Sequence, residues 1–236
     1  MNEENKILRD KAIELIDLEV EYREKFNTKQ SANFLKWLNK YLKFLKSERT
    51  FNPNYLPVYE QGSIIKLDLG FNVGSEHGGV HFGVVLNKDD SKRNNVLTIL
   101  PLSSKKSDSS KGNKYKIDLG NEFYNLVELK FNNIIQQYEL DLKDIDKDLE
   151  SANSKESFKL LRQKLNKTSK RLEEAKRVKL SLDYLKIGTF GLVSQITTVS
   201  KIRISDPIKI DSSLYGIKYC NNTMQKINNK ILKHIC

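Results

Sequence analysis

The stretch that decides the fold is residues 60–103, EQGSIIKLDLGFNVGSEHGGVHFGVVLNKDDSKRNNVLTILPLS. Its largely apolar stretch 64–69 leads into a loop with four glycines, and largely apolar stretches return at 82–86 and 98–102. Short apolar runs separated by glycine and polar residues are typical of β-strands joined by turns. The stretch therefore predicts a strand, a glycine-rich loop, a strand, a polar loop and a third strand.

The strand pattern continues on both sides of a long helical segment. Residues 114–119 alternate like a half-buried strand, and residues 189–199 again favour strand. The serine- and lysine-rich residues 103–112 predict a solvated loop, and Asp211 to Ser213 can cap a final helix. Residues 59–120 and 187–236 are therefore predicted to form one β-rich domain with a C-terminal helix.

Two regions show helical periodicity outside this domain. Apolar residues recur every three or four positions through 4–26 and after the caps available at Thr28 or Ser31, which predicts an N-terminal helical hairpin over 1–50. A heptad-like stripe through 125–186, interrupted once near residue 152, predicts two long helices. We interpret this segment as an inserted antiparallel coiled-coil arm, which serves packing, dimerisation or occlusion of a binding groove.

The composition limits the possible functions. Lysine and arginine total 41 against 30 aspartate and glutamate, a net charge of +11, which favours a polyanionic partner unless it reflects lysine-rich composition alone. No apolar run approaches the ~20 residues of a membrane span, and the polar N-terminus predicts a cytoplasmic protein with no membrane contact. Three histidines and two cysteines are too few and scattered to predict a metal site, and no cofactor is expected.

Several motifs together resemble the MazF/PemK family of toxin endoribonucleases. The family begins with a Gly-Asp/Ser-Ile strand and an Asp-Leu pair, followed by a loop of the form Gly-Ser-Glu-x-Gly-Gly-x-Arg-Pro. A strand that ends in Thr or Ser and a late Gln-Ile-Arg-Thr element come after the loop. The corresponding segments here are 61–65, 68–69, 74–82, 98–103 and 195–201.

This resemblance implies a fold and an activity. The expected architecture is α+β: a small SH3-like β-barrel that carries the N-terminal hairpin, the inserted arm and the C-terminal helix, usually as a homodimer. The implied function is a toxin that cleaves single-stranded RNA (mRNA) without a metal, leaving a cyclic phosphate and a 5′-hydroxyl. The implied partner is a cognate antitoxin protein.

The candidate catalytic residues depart from the family pattern. His81 and Phe82 stand where the family has its catalytic Arg-Pro, and Ser103 stands where it has a catalytic threonine. Arginine stabilises charge but remains protonated, whereas histidine can exchange a proton near neutral pH. We expect His81 to be the acid/base and Ser103 to hydrogen-bond the scissile phosphate; alternatively, His81 is a strand residue with local contacts only.

The resemblance also points to residues that contact RNA. The glycine-rich loop offers backbone N–H groups that either cradle a phosphate or simply form a turn that requires glycine. Beyond the loop, one lysine can attract phosphate or remain solvated, and two residues of the late element can hydrogen-bond RNA or pair within a dimer. The candidates are Ser75, Glu76, Gly78, Gly79, Lys105, Gln195 and Thr197.

Other functions remain open at this stage. A barrel without the arginine can be a non-catalytic module that binds nucleic acid or protein. The arm can instead make the chain an assembly protein with the barrel as its scaffold. The N-terminal hairpin can act as a built-in inhibitor in place of a separate antitoxin.

Overall fold

The computed structural model describes residues 2–107, 114–182 and 185–235, and over these ranges the protein is a mixed α+β structure. The helices are α1 Glu3–Phe26, α2 Thr28–Glu48, α3 Glu122–Ser151, α4 Lys155–Leu182 and α5 Asn221–Ile235. The strands are β1 Ile64–Asp68, β2 Val80–Val85, β3 Val96–Ser104, β4 Lys116–Asp118, β5 Thr189–Leu192, β6 Thr197–Ser200 and β7 Ile204–Asp206. The predicted α+β class is confirmed.

The chain divides into two compact units. The first unit comprises Met1–Asn52 and Leu69–Gly79, and the second comprises Pro53–Asp68 and Val80–Cys236. The glycine-rich loop between β1 and β2 therefore belongs with the N-terminal helices by its contacts, although its sequence lies within the β-rich region.

The first unit is built on the α1–α2 hairpin. The Asn5 N–H donates to the Asn2 side chain at 2.8 Å, and the Gln30 N–H donates to the Asn27 side chain at 3.2 Å. Asparagine caps both helices in the usual way, by accepting from an N–H that has no partner within the helix. The predicted caps at Thr28 and Ser31 are therefore wrong, since Ser31 lies buried inside α2.

The predicted apolar face of α1 does not face α2. Leu8, Leu15 and Tyr22 are exposed, whereas Ile16 and Val20 are partly covered. Residues four apart lie on one face of a helix, so α1 turns its 16–20 face inward and leaves the more regular leucine stripe outward.

The second unit contains an antiparallel sheet in the order β4-β5-β3-β2-β1-β7, with β6 also paired to β3. β3 pairs along one edge with β2 and along the other with β6 and then β5. The two end strands of this path do not pair within the described residues, so the sheet is open rather than a closed barrel.

Both faces of the sheet are buried. On one face, Phe82 contacts Phe123 of α3 edge-on at a ring distance of 5.1 Å, and Ile227 of α5 lies in the same cluster. On the other face, Leu67 and Ile99 are fully covered. Burial on two faces explains why the apolar residues of β1 and β3 do not alternate strictly with polar ones.

The helices α3 and α4 pair antiparallel. Asp148 near the end of α3 contacts Lys164 at 3.4 Å, and Glu128 near its start contacts Lys179 at 3.5 Å. The Ser157 N–H donates to the Ser154 hydroxyl at 3.1 Å, which caps the start of α4. The heptad-based coiled coil stays a prediction.

The C-terminal part of the sheet is more broken than predicted. The expected strand 189–199 is interrupted by a 3-10 turn at Val193–Gln195, and the additional strand β7 follows it. The final helix begins at Asn221 rather than at 211–213, because Gly216 at φ +75° and the bridge between Ser63 and Lys218 hold that segment as a turn.

Half of the predicted solvated loop 103–112 lies outside the described ranges, since residues 108–113 are not described. None of the helices in the described part of the chain is long and apolar enough to cross a membrane.

Candidate active site

The two candidate catalytic residues lie on neighbouring strands. β2 and β3 are paired up to Gly83 and Pro101, and His81 and Ser103 each lie two residues beyond that last pair. Side chains two residues apart on a strand share a face, so alternation places both on the face of Gly83 and Pro101. At Ser103, β3 has already begun to pair with Phe190 of β5. Both side chains are partly exposed, as a site open to substrate requires.

The candidate RNA-binding loop is closed at its neck by backbone hydrogen bonds. The Gly79 N–H donates to the Gly70 carbonyl at 2.6 Å, and the Leu69 N–H donates to the Gly79 carbonyl at 2.8 Å. A Cβ on Gly78 would lie 2.7 Å from the Gly70 carbonyl oxygen, so no larger residue fits there. The neck therefore explains these glycines as a turn, and the Gly79 N–H is already used within the loop.

The tip of the loop carries the remaining two candidates. Ser75 and Glu76 are exposed. The Glu76 carboxylate accepts from the Val73 N–H at 3.4 Å, and the Glu76 N–H donates to the Val73 carbonyl at 3.2 Å. Glu76 therefore braces the tip of the loop through both its carboxylate and its backbone N–H.

Phe71 attaches the loop to the hairpin. Its ring lies 5.4 Å from Phe34 and 5.9 Å from Trp37, both on α2. The Arg23 guanidinium of α1 lies over the Phe71 ring at 4.7 Å and also pairs with Glu19 at 2.5 Å. Aromatic and cation–π contacts of this kind each contribute about 0.5–1.5 kcal/mol. The sequence analysis did not single out Phe71, whose only signal was an aromatic residue inside a glycine-rich loop.

Lys105 is engaged within the fold. Its ammonium contacts Asp118 at 2.6 Å and lies 5.4 Å from the centre of the Phe190 ring, and its side chain is only 11% exposed. Burial raises the pKa of Asp118, but the hydrogen bonds from Lys105 and from the Gly120 N–H outweigh it, so the net pKa shift is downward. A contact from Lys105 to phosphate would compete with this ion pair.

The two candidates of the late element lie on the opposite edge of β3 from His81. Gln195 ends the 3-10 turn after β5, and Thr197 begins β6 opposite Ile99. Thr197 is exposed, whereas Gln195 is half-buried. His81 and Ser103 thus lie near the end of the β2–β3 pairing. Gln195 and Thr197 lie on the other side of β3.

Lys201, the lysine of the late segment 195–201, has a structural role. Lys201 and Asp90 form an ion pair at 2.7 Å in which both side chains are 0% exposed, and the ammonium also donates to the Ser91 carbonyl at 3.0 Å. The Tyr59 N–H donates to the same carboxylate at 2.9 Å. Burial, with the charge of Asp90 adding to it, raises the pKa of Tyr59. This pair fixes the β2–β3 connection to the turn after β6.

An arginine that the sequence analysis missed lies near the end of β1. The Arg203 guanidinium donates to the Asp68 carbonyl at 3.3 Å. Leu67, the preceding residue, pairs with Ile204 on one side and with His81 on the other. A fixed positive charge therefore lies two strands from His81 in a chain that lacks the family's arginine. Within the described residues, no group of three His, Cys, Asp or Glu side chains is placed to hold a metal ion.

The comparison with protein families identifies the central segment. The sequence model of the PemK-like, MazF-like toxins of type II toxin-antitoxin systems matches residues 60–168, somewhat less than half of the chain. The match includes the loop, β2, β3 and α3 and ends within α4, so residues 195–201 lie outside it. No curated protein matches the chain. The family model thus confirms the resemblance that the motifs indicate: residues 60–168 are similar to the PemK-like, MazF-like toxins of type II toxin-antitoxin systems.

Proposed function

We propose that the protein is a metal-independent endoribonuclease toxin that cleaves single-stranded RNA. The observation that carries this proposal is the family match, which spans the loop, His81 and Ser103 in one segment. The match itself supports a toxin of a toxin–antitoxin pair. The reaction and its residues are our inference from the chemistry that the site can perform.

In the proposed reaction, His81 as neutral imidazole takes the proton of the ribose 2′-hydroxyl. The 2′-oxygen attacks phosphorus, and the Ser103 hydroxyl donates a hydrogen bond to a non-bridging oxygen of the phosphorane. The bond from phosphorus to the 5′-oxygen then breaks, and the imidazolium returns its proton to that oxygen. The products are a 2′,3′-cyclic phosphate and a 5′-hydroxyl, with no net proton gained or lost.

The RNA-binding residues, the homodimer and the antitoxin stay predictions. The predicted RNA-binding residues are Ser75, Glu76, Gly78, Gly79, Lys105, Gln195 and Thr197.

The N-terminal hairpin contacts the candidate RNA-binding loop directly through Phe71. We infer that the hairpin controls the loop from within the chain.

The test is cleavage of a long single-stranded RNA in EDTA by the full chain, with mapping of the new ends. His81→Ala is expected to reduce the cleavage rate by about 10²–10⁴-fold, the usual contribution of a general acid/base. His234→Ala, a histidine on α5, is the matched control and should cleave normally. Normal cleavage by folded His81→Ala would refute the assignment.

A second candidate function is a binding module without catalysis, and the presence of histidine at the family's arginine position favours it. This alternative predicts that the natural chain binds RNA and leaves it intact. A gain of cleavage on His81→Arg would then identify the natural protein as the non-catalytic form.

A further inference from the structure

A large cleft lies within the second unit, away from the strands that carry His81 and Ser103. Its volume is about 1170 Å³. Residues of α4, of the segment 54–60 and of the turn 209–215 line it, together with Lys92. None of the candidate site residues lines it.

The cleft is strongly basic. Five cationic side chains from three separate segments line it: Lys92, Lys167, Lys170, Arg171 and Lys209. None of the five forms a salt bridge within the part of the chain that the structure describes. Of the two acidic residues in the lining, Glu60 pairs outside this set, with Lys218 at 2.5 Å.

Three of these cations lie on one face of α4. Lys167, Lys170 and Arg171 stand at i, i+3 and i+4, so they occupy one face of the helix. Three like charges on one helix face repel each other, which disfavours the helix by a few tenths of a kcal/mol per pair. A bound polyanion removes that repulsion.

The cleft also presents two tyrosines. Tyr55 is 83% exposed and Tyr215 is 39% exposed, and both belong to the lining. Exposed aromatic rings beside a row of cations are the pattern by which proteins hold single-stranded nucleic acid, with bases stacked on the rings and phosphates on the cations.

Hydrogen bonds from α3 hold the turn 209–215 that lines the cleft. The Lys130 ammonium of α3 donates to the Ser212 carbonyl at 3.2 Å and also to the Tyr215 carbonyl. Because α3 pairs with α4, these bonds tie the base of the helical pair to the turn that carries Tyr215. The position of the turn that carries Tyr215 is therefore fixed relative to α3 by hydrogen bonds within the fold.

We propose that this cleft binds single-stranded RNA, with the cations of α4, Lys92 and Lys209 on the phosphates and the two tyrosines under unpaired bases. The proposal rests on the proposed function in that it gives the RNA substrate a second contact surface, remote from the reacting bond. An acidic peptide would match the charge but would leave the exposed tyrosine rings without a planar partner.

The test measures the binding of a fluorescent 16-nucleotide single-stranded RNA by anisotropy, with the full chain carrying His81→Ala so that the RNA stays intact. The cleft variant adds Lys167→Gln, Lys170→Gln and Arg171→Gln. The control variant adds Lys155→Gln, Lys159→Gln and Arg162→Gln, which remove the same charge from the same helix outside the cleft. Thermal melting of both variants checks that α4 is retained.

We expect the cleft variant to bind at least tenfold more weakly and to lower the slope of log affinity against log salt by about 2, at ~0.7 per phosphate contact. The control variant should keep the parent slope. Tyr55→Leu should weaken binding by about fivefold or more through lost stacking. Equal losses in the cleft and control variants would overturn the proposal. Competition by poly-glutamate as strong as by unlabelled RNA, with no effect of Tyr55→Leu, would assign the cleft to an acidic peptide instead.

The two proposals fail in different ways. If the cleft does not bind RNA, the cleft variant with natural His81 still cleaves with the parent's affinity and salt dependence. If the chain is not a nuclease, no variant cleaves, while the cleft variant still loses binding relative to its control.

Discussion

The buried ion pair of Lys201 and Asp90 gives the sharpest test of how the sheet is held. Lys201→Met keeps the length of the side chain but leaves the Asp90 carboxylate buried without its cation. Removing one partner of a buried pair costs about 3–5 kcal/mol, because an uncompensated charge remains in the interior. For a chain of this size, about 2–4 °C of melting temperature per kcal/mol gives an expected fall of about 6–20 °C.

The assay is urea unfolding at neutral pH, with thermal melting as a second measurement. Lys164→Met is the matched control, since its partner Asp148 lies at 3.4 Å with both side chains about half exposed, and exposed pairs contribute about 0–1 kcal/mol. The double variant Lys201→Met with Asp90→Asn removes both charges and keeps an acceptor for the Tyr59 N–H. It should be more stable than Lys201→Met alone. A single variant that loses no more stability than Lys164→Met would refute the reasoning.

Two further predictions concern the loop and the edge of the sheet. Phe71→Ala removes the ring that attaches the loop to the hairpin, so hydrogen exchange of the loop amides should become about tenfold faster, for a loss of ~1.4 kcal/mol; Val73→Ala, an exposed neighbour in the loop, should change nothing, and equal protection in both variants would contradict the attachment. The lowered pKa of Asp118 adds stability above its ordinary value of 3.8 that is lost as the pH falls through the native pKa. Asp118→Asn should therefore be less stable than the parent at pH 7, by about 0.2–1 kcal/mol for a partly exposed pair, and the two should converge in acid; a gap that stays constant down to pH 2 would show that the Lys105 ion pair is not its source.

Local pattern was sufficient for most elements of the fold. The alternation and glycine spacing of residues 60–103 predict β1, the loop, β2 and β3, because strand period and turn chemistry are properties of a few adjacent residues. The same holds for the long helices. The inward face of α1 was not predictable in this way. Packing against α2, and not the regularity of the leucine stripe, decides that Ile16 and Val20 face inward.

The candidate site likewise has residues that the sequence could suggest and contacts that it could not. His81 and Ser103 are placed on adjoining strands by a register that the loop lengths set, so a resemblance in sequence order was enough to suggest them. The ion pair between Lys105 and Asp118 joins two residues that a loop separates, so sequence alone could not predict it. The cations of α4 were visible as one helix face, but the segment that completes the cleft with them lies more than a hundred residues earlier in the chain.

The attachment of Phe71 to α2 has a thermodynamic consequence. Segments that share their contacts open and close as one cooperative unit, although here the chain places the loop between two strands of another unit. A ligand that orders the loop must then also protect the hairpin against opening. By reciprocity, any protein that grips or releases α2 changes the affinity of the loop for its ligand by the same factor.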